Sequence, residues 1–91
     1  MKIQEFRTSL PPADVLNRAK AFFSRRVPHM AAFPEKEGPG WLALRGQGGE
    51  DIALSATEQG GATFVRGSSL LFGQPLSRFL STLPPAPPEP A

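Results

Sequence analysis

The chain has 91 residues, enough for one small domain, with 40% hydrophobic and 20% charged residues as in ordinary globular proteins. It has no cysteine, which excludes disulfides and thiolate metal sites and leaves stability to core packing or to a partner subunit. The net charge is only +2 although the pI is 9.7: there is no Tyr or Cys to titrate and most basic residues are Arg, so the high pI alone does not mark a nucleic-acid binder.

The opening MKIQEFRTSLPP lacks the apolar core of a signal peptide, and no stretch approaches the roughly 18 apolar residues needed to cross a membrane. The expectation is a soluble cytoplasmic protein with no membrane contact. Lys2 to Thr8 reads as a strand with Ile3 and Phe6 as its apolar residues. Their odd separation points to a bulge or an edge position.

Pro11 and Pro12 suit the first turn of a helix, where a missing N–H costs nothing, with Ser9 as a cap or turn residue before them. Asp14 then lies at the anion-favouring end of the dipole. Val15, Leu16, Ala19, Phe22 and Phe23 recur at helical spacing, so the helix should run to about Arg26. Pro28 stops it. His29 to Phe33 then reads as a short edge strand ended by Pro34, followed by a turn at Glu37-Gly38-Pro39-Gly40.

Residues 41–45, 51–57 and 62–68 read as three meandering strands joined by short Gly-containing hairpin loops. Gly73 and Pro75 open a second helix. Leu76, Phe79, Leu80 and Leu83 fall at i, i+3, i+4 and i+7 as one apolar stripe, and Pro84 ends it. One domain is expected over residues 1–83, with a disordered Pro-rich tail over 84–91 of polyproline-II character.

The resulting fold class is α+β: a two-layer sandwich with a five-stranded antiparallel sheet and two helices on one face, in the order β-α-β-β-β-β-α. This order resembles the TBP-like, or helix-grip, fold. The opening strand, the Pro-Pro helix start and the Gly60-Gly61-Ala62-Thr63 before a late strand are also similar to short START/polyketide-cyclase superfamily proteins. The resemblance covers residues 2–83 and implies a lipid- or polyketide-type pocket between the C-terminal helix and the sheet. The chain lacks the extra helix and strands that enclose that cavity in the START pattern.

Alternation assigns the two faces. With Leu44 opposite Ile52, residues Leu42, Leu44, Ile52, Leu54 and Ala56 share the core face, and a turn at Gln59-Gly60 would set Val65 opposite Leu54. The other face then carries Trp41, Ser55 and Phe64 in one row and Ala43, Ala53 and Arg66 in the next, with Arg45 nearby.

No catalytic set assembles. His29 is the single histidine and has no triad partners; Glu35 and Glu37 lack companions for a metal; Glu50 and Asp51 lack EF-hand spacing. The glycine run RGQGGED (45–51) precedes a strand rather than a helix and lacks a Gly-Lys-Ser/Thr ending, so it is a hairpin loop rather than a phosphate cradle. No cofactor and no metal are expected.

The leading reading is a non-enzymatic association domain, a homodimer or a protein binder, contacting through Trp41, Phe64, Arg45, Arg66 and Ser55. The alternatives are a reduced helix-grip domain holding a small apolar ligand, and, ranked last, a single-stranded nucleic-acid binder stacking bases on the aromatic row.

Overall fold

The computed structural model describes residues 2–25, 32–46, 51–69 and 73–86. The elements are β1 (Lys2–Thr8), α1 (Pro12–Ser24), β2 (Ala32–Gly38), β3 (Trp41–Gly46), β4 (Asp51–Gln59), β5 (Ala62–Ser69) and α2 (Gly73–Ser81). The five strands form one antiparallel sheet in the order β1-β5-β4-β3-β2, so β1 and β2 are its edges. The expected α+β order is found.

Helix α1 starts as its prolines require. Pro11 takes the N-cap position in an extended conformation with Pro12 behind it, and the Val15 N–H donates to the Pro11 carbonyl at 3.1 Å. Ser9 does not cap the helix; its backbone N–H instead donates to the Pro84 carbonyl at 3.3 Å. The helix ends at Ser24 with Arg25 as C-cap, and Arg26 lies outside the described residues.

Both helices cover the same sheet face. Val15, Leu16, Ala19 and Phe23 of α1 and Leu76, Phe79 and Leu80 of α2 are buried against Leu42, Leu44, Ile52, Leu54, Ala56 and Val65. Phe22, Phe23 and Phe79 bring their ring centroids within 5.2–5.6 Å of one another and join the two helices. Where α2 crosses the sheet, Gly67 leaves no gap: a Cβ there would meet Leu76 Cδ1 at 2.8 Å and Leu54 Cδ2 at 2.9 Å. The helix–sheet space is filled by side chains at this point.

Polar groups on the inner side of β1 fasten both α2 and the segment from Pro84 to Ala86. Gln4 Nε2 donates to the Gly73 carbonyl at 2.9 Å, and Ser77 Oγ donates to Gln4 Oε1 at 2.6 Å. The buried Thr8 hydroxyl donates to the Pro84 carbonyl at 2.6 Å, and the Ala86 N–H donates to the Arg7 carbonyl at 3.1 Å. Pro84 to Ala86 thus lie against the outer edge of β1; residues 87–91 lie outside the described residues.

β1 pairs with β5 in one unbroken register at the sheet edge, so of the two expected alternatives the edge position is found and the bulge is not; Ile3 and Phe6 face opposite sides because their separation is odd. Three local expectations are corrected. β2 does not end at Pro34: it is an edge strand that continues to Gly38, with its register shifting between Pro34 and Lys36. Of the expected strand from His29 to Phe33, only Ala32 and Phe33 lie within the described residues. The β4–β5 turn is Gly60-Gly61, with φ of 58° and 81°, rather than Gln59-Gly60. A two-residue hairpin whose central residues both have positive φ suits the Gly-Gly pair. Val65 therefore stands opposite Ala56, and Leu54 opposite Gly67.

Candidate interaction surface

The slip of β5 is two residues, so every side chain stays on its expected face while the rows change. The central row of the outer face is Glu5–Arg66–Ser55–Trp41–Gly38 across β1, β5, β4, β3 and β2. On one side of it lies Ile3–Ser68–Ala53–Ala43–Lys36, and on the other Arg7–Phe64–Thr57. Phe64 is thus not in the Trp41 row as expected, and Arg66 is in it. Trp41, Ser55 and Arg66 come together; Phe64 sits one row away and is partly buried.

Trp41 is held above the sheet by the tight β2–β3 turn. Pro39-Gly40 forms that turn, with Gly40 at a φ of 79°, and the Ala56 N–H donates to the Gly40 carbonyl at 2.8 Å. The turn sets Gly38 opposite Trp41, and the indole lies over the glycine.

Among the described residues three large hydrophobic side chains stand out as exposed: Ile3 at 49%, Phe33 at 48% and Trp41 at 42%. All three belong to this face, because Ile3 pairs with Ser68, Phe33 with Arg45 and Trp41 with Ser55. Between Ile3 and Trp41, the side chains of Ala43, Ala53, Ser55 and Ser68 make a floor of small groups. The resulting trough of about 410 Å³ is bordered by Ile3, Trp41 and Arg66. Ile3 and Phe33 were not among the expected contact residues. The signal for Ile3 was its odd separation from Phe6, and the one for Phe33 was its place beside a strand-edge proline.

The charges on this face are mixed. Arg45 Nε donates to Glu35 Oε2 at 2.9 Å, and Arg45 Nη2 lies 3.4 Å from Asp51 Oδ1. The hydrogen bond to Glu35, then the fields of Asp51 and Glu35, hold the Arg45 guanidinium above its ordinary pKa. Arg45 is therefore engaged within its own chain. Arg66 is exposed and has no ion-pair partner among the described residues.

Among the described residues no three His, Asp or Glu side chains cluster to hold a metal ion. His29 and residues 47–50 of the glycine loop lie outside the described residues. No described helix is long and apolar enough to cross a membrane. No family model matches the chain, and no curated protein or solved structure matches it.

Proposed function

We propose that this protein is a small association domain that binds a protein surface through its outer sheet face, with homodimerisation as the leading form. The observation that carries this reading is that Ile3 and Trp41 border a trough floored by Ala and Ser on the face opposite the core, with Phe33, the third large hydrophobic exposed among the described residues, two rows from Trp41 on the edge strand of the same face. Trp and Arg side chains are the types that dominate interface energetics, and Trp41 and Arg66 share the central row. The side chains filling the space between α2 and the sheet at Gly67 favour this reading over an apolar-ligand pocket there. The near balance of acid and base on the face favours it over a nucleic-acid platform, which would require a basic stripe.

The test is size-exclusion chromatography with light scattering over a wide concentration range. The expected result is a mass that rises from one chain toward two as concentration increases, and that stays at one chain in Trp41→Ala. A strictly monomeric protein, unchanged by Trp41→Ala, would overturn self-association through this face.

A further inference from the structure

We infer that two copies pack outer face to outer face about a two-fold axis running along β4, so that Trp41 of each copy stacks on Arg66 of the other. This geometry rests on the association reading and makes it specific.

The register carries the inference. Arg66 and Trp41 lie in the same row, one strand to either side of Ser55. Their backbone positions are therefore equidistant from β4, about 4.8 Å each way. A two-fold axis parallel to β4 exchanges the two sides while leaving each row in place. Arg66 then meets the partner's Trp41, and Trp41 meets the partner's Arg66, in one self-complementary patch of the kind a two-fold interface requires. Each contact sets an exposed guanidinium that lacks an ion pair within its own described residues against an exposed indole, a pairing the ring quadrupole favours. Asp51, Ala53, Ser55 and Thr57 of β4 lie on the axis, each facing its own counterpart, with the small Ala53 and Ser55 at the centre.

The periphery obeys the same operation. Glu5 comes beside the partner's Lys36, opposite charges in adjacent rows. Ile3 comes opposite the partner's Lys36, whose row it shares, and one row from the partner's Phe33.

The edges argue for faces rather than strand-to-strand pairing. β1 is covered at its end by Pro84 and Ala86, which bond to Ser9 and Arg7. β2 carries Pro34, a register shift and the run Glu35, Lys36, Glu37. These are the devices that block edge-to-edge sheet extension.

Five strands about 4.8 Å apart and about four outward residues per strand give each copy a face of roughly 500–600 Å². The total of roughly 1,000–1,200 Å² belongs with weak, reversible dimers. The dimer should therefore form at high protein concentration and dissociate on dilution.

The experiment uses the absence of native cysteine. Aligned sheets pack about 10 Å apart, too far for a direct disulfide but within reach of a short bis-maleimide. Three single-cysteine variants are treated with it at high concentration: Ser55→Cys on the axis, Lys36→Cys on the β2 edge and Gln74→Cys on the helical layer. In the inferred dimer Ser55→Cys gives a covalent dimer. Lys36→Cys, displaced by about four strands or 19 Å sideways, does not, nor does Gln74→Cys.

Trp41→Ala and Arg66→Glu each weaken the dimer by at least about tenfold. Placed in the Ser55→Cys background, each removes the cross-link while the circular dichroism spectrum stays native. Cross-linking at Lys36→Cys but not Ser55→Cys in a protein of doubled mass would overturn this geometry and leave association standing. A mass that remains at one chain would overturn both.

Discussion

The indole of Trp41 occupies the space that a side chain on Gly38 would need. A Cβ built on Gly38 would lie 2.8 Å from Trp41 Cε2 and closer still to Nε1. The glycine therefore does more than terminate β2. It lets the aromatic ring lie across the neighbouring strand with one face toward solvent.

Gly38→Ala should consequently move Trp41 while leaving the core alone. The added methyl forces the indole off the strand, at a cost of about 1 kcal/mol or more for the altered packing. The checks are intrinsic fluorescence, which reports Trp41 alone because it is the single tryptophan, and the concentration dependence of mass. The emission should shift and association should weaken, with far-ultraviolet circular dichroism unchanged. Unaltered emission would mean the ring is not held by Gly38.

Gly67→Ala tests the other side of the sheet. The methyl would press on Leu76 and Leu54 in the filled layer beneath α2. Overpacking of this kind costs about 1–3 kcal/mol. For a domain of this size, each kcal/mol lowers the melting temperature by about 4–8 °C. Thermal unfolding should therefore show a clear drop, with Trp41 emission unchanged in the folded state. A stabilised variant, or one that binds an apolar dye less than the parent does, would indicate that a cavity exists where the side chains are placed.

The contrast between these two glycines shows what the sequence could and could not convey. Amphipathic spacing made both helices and the inward face of every central strand legible, because burial of Leu42, Leu44, Ile52, Leu54 and Val65 enforces strict alternation. The relative sliding of β4 and β5 was less constrained. A two-residue slip preserves the same faces, so hydrophobic pattern cannot distinguish the two registers, and only the φ demands of the Gly60-Gly61 turn decide. The candidate site inherited that ambiguity: Phe64 left the Trp41 row and Arg66 entered it. Phe33 was overlooked because Pro34 reads as a terminator, whereas an edge strand with a register shift accommodates it.

Thr8 joins three segments, and its loss should loosen the start of the C-terminal tail. Its hydroxyl donates to the Pro84 carbonyl at 2.6 Å and accepts from the Leu10 N–H at 3.3 Å, in a fully buried position. Thr8→Val keeps the shape but takes the acceptor from the Leu10 N–H and leaves the Pro84 carbonyl with the longer bond from Ser9 alone, at about 1–3 kcal/mol. Amide hydrogen exchange should show faster exchange at Ala86 and Ser9, whose N–H groups bond across the same junction. Protection at both amides equal to the parent's would show that the backbone bonds hold the tail without the threonine.

Arg45 offers the test in which little should change. Its guanidinium is held above its ordinary pKa chiefly by the hydrogen bond to Glu35, and then by Asp51. A cation whose pKa is raised on folding contributes its stability in full below the unfolded value and loses it only as pH rises through the folded value. For arginine both lie far into the alkaline range. The difference in melting temperature between the parent and Arg45→Gln should therefore stay flat from neutral to mildly alkaline pH. It should shrink with added salt, because the partners lie at the surface and are screened. A difference that changes steeply with pH in that window would mean another titrating group is coupled to the network. Arg45→Gln should also leave the Ser55→Cys cross-link intact, since Arg45 is bonded within its own chain and lies outside the Arg66–Ser55–Trp41 row. Loss of that cross-link would move the centre of the contact toward Phe33 and Asp51.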